Sequence, residues 1–123
     1  MYDKELILLL LRKIEFAIDR ILSKADSIKT SNDYALTSWG MERLESTCML
    51  LITIGEGIKG IDKITSKKLL INYPEIDWQG VMGMRDIIAH HYFDINAEIV
   101  FDVVKNKLPD LNITVQKMIV DIK

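Results

Sequence analysis

The sequence predicts an all-α bundle of four to six helices, and three observations carry that expectation. Apolar residues recur at helical spacings through most of the chain, capping residues stand in front of those runs, and no stretch alternates apolar and polar as a half-buried strand would. With 123 residues, 49% hydrophobic and 28% charged, the chain has the size and composition of one globular domain, residues 1–123, that buries a core without staples.

The elements follow in order. Asp3 is suited to cap a first helix that runs to about residues 23–25, with Glu5 in its first turn. Its run Leu6-Ile7-Leu8-Leu9-Leu10-Leu11 is too short to span a membrane, and Asp3, Glu5, Arg12 and Lys13 flank it wrongly for export. The expectation is a helix buried on more than one side, which hints at a subunit contact as well as a core. Residues 24–32 are polar and read as a loop. A long second helix then starts at Asn32 or Asp33 and carries Leu36, Trp39, Leu44, Cys48, Leu51 and Ile52 up to Gly55-Glu56-Gly57. The glycines there and at Gly60 imply either a terminus or a close backbone approach.

Asp62 is expected to start a short third helix with Lys63, Lys67 and Lys68 on a solvated face. Tyr73-Pro74 breaks it, because the residue before proline is pushed out of the helical region. Asp77 is suited to cap a fourth helix, and Asn96 a fifth with Glu98 in its first turn. Leu108-Pro109 interrupts again, with Pro109 placed for the first turn of a last helix.

The formal net charge is −2, so no global basic field advertises nucleic acid, and an RNA contact would need a local patch. Cys48 is the single cysteine, which excludes an intrachain disulfide, and without a Cys/His cluster there is no structural zinc site. A cytoplasmic location is the default, with no membrane partner.

The chemistry concentrates in Met84-Arg85-Asp86-Ile87-Ile88-Ala89-His90-His91-Tyr92-Phe93, which holds both histidines. At 100° per residue from Val81, the positions Met82, Met84, Ile87, Ile88 and Ala89 share a broad apolar arc, with Arg85 at about 40° and Tyr92 at about 20° inside it. Asp86 and His90 lie opposite, at about 140° and 180°, one i,i+4 step apart. A guanidinium on an apolar stripe needs a partner. One reading is a buried salt bridge to Glu56 or Asp86; the other is an anion site, with a planar fork for phosphate and an imidazole to move a proton. Tyr92 by itself reads as a core aromatic with its hydroxyl at the surface. A metal site on Asp86, His90, His91 and Asp94 is disfavoured, since adjacent histidines diverge on a helix.

The run 83–93 resembles the HepT-like branch of the HEPN domains. So do the Ile54-Gly55-Glu56 step, the approach Tyr73-Pro74-Glu75-Ile76-Asp77-Trp78 and the stretch from Asp94 to Leu108-Pro109. The resemblance implies a HEPN-type bundle and a ribonuclease toxin that acts on RNA as a homodimer with no metal or cofactor. It also implies a partner, a nucleotidyltransferase antitoxin of the MNT type. By the R-x4-H-x-Y pattern, Arg85 and His90 are the implied catalytic pair, Asp86 supports them, and Tyr92 is the residue the antitoxin modifies with AMP. His91 adjoins His90, but the spacing assigns the catalytic role to His90. On one straight helix Arg85 and His90 point about 140° apart and are separated by roughly 7.5 Å of rise. Either the helix ends before His90 or one site draws on two subunits.

Overall fold

The computed structural model describes residues 3–88 and 95–123, and their regular elements are all helical. Helix α1 (Lys4–Ser23) starts where Asp3 accepts a hydrogen bond from the Leu6 N–H at 3.1 Å. It turns Ile7, Leu11, Ile14, Ile18 and Ile21 inward, one stripe at steps of three and four residues. Leu9 remains half exposed and Leu6 more than a third, so within this chain α1 buries one face rather than several.

The expected second helix is two. Asn32–Ala35 forms one turn, α2, and the carboxylate of Asp33 reaches back to accept from the backbone N–H groups of Lys29 and Thr30. Those bonds hold the Asp33 carboxyl below its ordinary range. Thr37 then caps α3 (Ser38–Ile64), its hydroxyl accepting from the Gly40 N–H at 2.8 Å. With 27 residues, α3 is about 40 Å long and is the axis of the molecule. It packs against α1 and α2, and against the next three of the four helices that follow it.

Contrary to expectation, α3 passes through Gly55, Gly57 and Gly60, and Asp62 belongs to its last turn. Gly55 and Gly57 mark close approach rather than an end, while Gly60 has open space beside it. A Cβ on Gly55 would lie 2.6 Å from the Val81 carbonyl oxygen, so a hydrogen at that position is what lets the next helix lie against α3. The helix ends in a doubly bonded turn, with the Ser66 N–H donating to the Lys63 carbonyl and the Lys67 N–H to that of Asp62. Ser66 and Lys67 both have φ near +60° (55° and 64°). Of the expected third helix only a single 3-10 turn, Leu70–Asn72, forms. Lys63, Lys67 and Lys68 are exposed, as a solvated face requires.

Asp77 caps α4 (Trp78–Met82) by accepting from the Gly80 N–H. Gly83 ends it, and a new turn, α5 (Met84–Ile88), begins at once. Asn96 caps α6 (Ala97–Asp102) through the Ile99 N–H. Pro109 lies in the first turn of the last helix as expected, but it does not break the helical course of the chain there. A wider π turn, Val103–Lys107, carries α6 into α7 (Leu108–Ile122), with the Leu108 N–H bonded to the Val103 carbonyl five residues back. Proline lacks an N–H and crowds the carbonyl four residues before it, and the wide turn is where that mismatch falls. Helix α7 buries Leu111, Val115, Met118 and Ile119 against α1.

Candidate active site

The site is built on two helices of five residues each, α4 and α5. Trp78, at the start of α4, is buried and its indole N–H donates to the Tyr73 carbonyl at 2.8 Å. The Tyr73 hydroxyl in turn donates to Asp121 on α7 at 2.8 Å, so the approach 73–78 is tied to the last turn of α7. Val81 then brings its carbonyl against Gly55, and Met84 lies over the same glycine.

Arg85 is not on the buried stripe. The chain breaks at Gly83, which resets the helical register between α4 and α5. Met84 and Ile88, one i,i+4 step apart, take the inward positions and leave Arg85, Asp86 and Ile87 exposed. The expectation of a guanidinium inside an apolar arc assumed one continuous helix from Val81 to Tyr92, and the break removes it. No ion pair joins Arg85 to another described residue, and Glu56 sits on the outer side of α3, 4.0 Å from Lys59. The guanidinium therefore meets solvent as a free cation would, among the described residues, with Asp86 beside it.

Of the other residues that carry the motif, His90, His91 and Tyr92 lie outside the described residues. The chain on either side of them is joined: the Asn96 N–H donates to the Ile88 carbonyl at 2.8 Å, linking the end of α5 to the cap of α6. Ile87 and Ile88, with Ile95–Ile99 and residues 31, 32 and 35 of the α2 segment, border an open hollow of about 600 Å³ beside Arg85's helix. A second, more apolar groove of about 270 Å³ runs on the other side of Ile87, between α4–α5 and the π turn.

Cys48 takes no part in this chemistry. It is buried on α3, and burial pushes its thiol up to about 12, which keeps it protonated and unreactive. The sequence reading also passed over Arg20, Lys24 and Arg43, which the fold brings to one recess. The available signal was a pair of aromatic–arginine steps at i,i+4, Phe16–Arg20 and Trp39–Arg43.

No helix among the described residues is long and apolar enough to cross a membrane. No solved structure matches the chain. Among curated proteins, one from Methanocaldococcus jannaschii, named "Putative RNase", is 31% identical over 110 residues, covering 88% of this chain and 88% of that protein. One from Caldanaerobacter subterraneus with the same description is 29% identical over 112 residues, 89% of this chain and 88% of that protein. A "Probable ribonuclease HepT" of Thermococcus cleftensis is 34% identical over 65 residues, 53% of this chain and 56% of that protein. The family model described as "Ribonuclease HepT-like" matches residues 14–118, and with the all-helical fold this establishes that the chain belongs to the HepT-like ribonuclease family.

Proposed function

We propose that the chain is a metal-independent endoribonuclease, with Arg85 and His90 as its catalytic pair. The observation that carries this reading is the exposed Arg85, a cation with no ion-pair partner among the described residues, on a short helix braced against Gly55 in a chain of a ribonuclease family. Cleavage of RNA without a metal needs a base and a fixed positive charge. In this reading the His90 imidazole takes the proton of the 2′-OH, and the 2′ oxygen attacks the adjacent phosphorus. The bond from phosphorus to the 5′ oxygen breaks, that oxygen takes up a proton, and a 2′,3′-cyclic phosphate remains. Arg85 holds the charge that builds on the phosphate oxygens, and Asp86 supports the pair.

The reading extends to regulation and assembly. Residues 1–123 act as one domain, in the cytoplasm, as a homodimer whose two motifs face a shared cleft. The chain is the toxin of a toxin–antitoxin pair, and its partner is an MNT-type nucleotidyltransferase that transfers AMP from ATP to Tyr92. An adenylyl group two residues beyond His90 adds bulk and negative charge where substrate phosphate must approach Arg85.

The reading is tested by incubating RNA with the purified chain and with its Arg85→Ala, His90→Ala and His91→Ala variants, with and without EDTA. Cyclic phosphate ends are expected in EDTA. Loss is expected with the first two variants and a much smaller effect with His91→Ala. Retention of the fold with no cleavage under any condition would instead make the chain a helical binding module for a nucleotidyltransferase.

A further inference from the structure

A second cationic site lies away from Arg85, where the last turns of α1 meet the first half of α3. Arg20, Lys24 and Arg43 line one recess there with the hydroxyl residues Tyr34, Ser46 and Thr47. No carboxylate lines it, although Asp19, Asp26, Glu42 and Glu45 stand on the same segments. In a chain of net charge −2 this is a local concentration of positive charge. None of the three cations forms an ion pair with another described residue, and the Nε of Arg43 is buried with no hydrogen-bond partner.

Each arginine also stacks on an exposed ring. The Arg20 guanidinium lies 5.8 Å from the centre of Phe16, which is 64% exposed, and that of Arg43 lies 5.2 Å from the centre of Trp39, which is 47% exposed. From these observations we infer that the recess is a binding subsite for single-stranded RNA, with Arg20, Lys24 and Arg43 holding backbone phosphate and Trp39 and Phe16 stacking bases. The inference rests on the ribonuclease reading for the identity of the strand but not for the chemistry of the subsite.

The dimensions favour phosphate at the mouth over a nucleotide inside. The recess has only about 10 Å³ deep enough for a water, so it takes oxygens rather than a base, and the contact is blind to sequence. The Tyr34 hydroxyl, hydrogen-bonded to Thr47, is pushed above its ordinary range by burial, so it stays neutral. Helix α2 separates the two sites. Tyr34 faces the recess, while Asn32 and Ala35 face the hollow shared with Ile87 on Arg85's helix. A strand crossing one helix, about 10–12 Å wide with its side chains, needs only a few nucleotides to reach from one site to the other. Arg20, Lys24 and Arg43 are thus positioning residues that register the strand over the site of cleavage.

The test measures binding apart from cleavage. A fluorescent 12-nucleotide RNA with every 2′ oxygen methylated, which no 2′-OH attack cleaves, is titrated with the full chain by anisotropy at several salt concentrations. Arg43→Gln and Arg20→Gln should each weaken binding by about tenfold and flatten the slope of log K against log salt by about 0.7. Trp39→Ala should weaken it by about fivefold or more with the slope unchanged. With a cleavable RNA of the same length, the variants should raise KM and leave kcat, and with a dinucleotide they should change nothing. Lys24→Gln, at an exposed position, keeps the test open should an arginine variant fold poorly. Affinity and slope unchanged in folded variants would overturn the subsite. So would unchanged affinity accompanied by a smaller sedimenting species, which would make this face a contact between proteins. Binding that depends on Arg20 and Arg43 in a chain that cleaves nothing would support the subsite and overturn the catalytic reading alone.

Discussion

The bundle of α1, α3 and α7 and the pair α4–α5 are stabilised in different ways. The long helices bury repeated apolar stripes against one another and would keep their places if any one contact were lost. Helices α4 and α5 have five residues each, too few for a helix to be stable by itself in water. They persist because Asp77 caps one end, Trp78 is pinned to Tyr73, and both helices rest on α3 at Gly55. The helix that carries Arg85 therefore takes its position from the scaffold, and damage to the two regions should be separable.

The largest effect is expected in the scaffold. Leu51, on α3, has no exposed surface, and Leu51→Ala should cost about 2–5 kcal/mol in urea unfolding, in proportion to the cavity left behind. A smaller stability loss with a larger functional one is expected from Gly55→Ala. The new methyl would meet the Val81 carbonyl, so overpacking should cost about 1–3 kcal/mol and shift α4 and α5 away from α3. RNA cleavage should fall further than Leu51→Ala lowers it at a temperature where both variants are folded. Gly60 is the control on the same helix. A Cβ there meets nothing within 4 Å, and Gly60→Ala should stabilise by about 1 kcal/mol and leave cleavage unchanged.

The smallest effect at neutral pH concerns Cys48. Burial raises its thiol to about 12, above the value near 8.5 of an unfolded chain. Its contribution to stability is therefore whole below pH 8.5 and is lost as pH rises from there toward 12, because only the unfolded chain releases the proton. Unfolding measured at pH 7 and pH 10 should show a decline that Cys48→Val removes, and the native thiol should resist alkylation at pH 8.

The same division decides what could be read in advance. Asp3, Asp77 and Asn96 were each legible as caps, because the residue and the N–H it accepts from are three apart in the chain. The course of α3 through Gly55, Gly57 and Gly60 was not, since each glycine weakens an isolated helix, and it is the packing of Gly55 against α4 and of Gly57 against α1 that offsets this preference. Asp62 looked like the start of a helix and is part of the end of one. The break at Gly83 was missed for a related reason. It places Met84 and Ile88 inward, and without it the wheel from Val81 turned Arg85 into the core. The motif identified the family from residue types and spacing, neither of which depends on where the side chains point.

The claim that Arg85 is a catalytic cation and not a structural one has a direct measurement. Cleavage of a labelled RNA by wild type and by Arg85→Ala is compared under single-turnover conditions, beside urea unfolding of both. Arg85 is exposed and makes no ion pair with the described residues, so the account predicts stability within about 0.5 kcal/mol of wild type. It predicts a cleavage rate lower by about 10²–10³-fold, the cost of losing a transition-state charge contact. A variant that cuts RNA at the wild-type rate, or one that loses activity only because it unfolds, would contradict it.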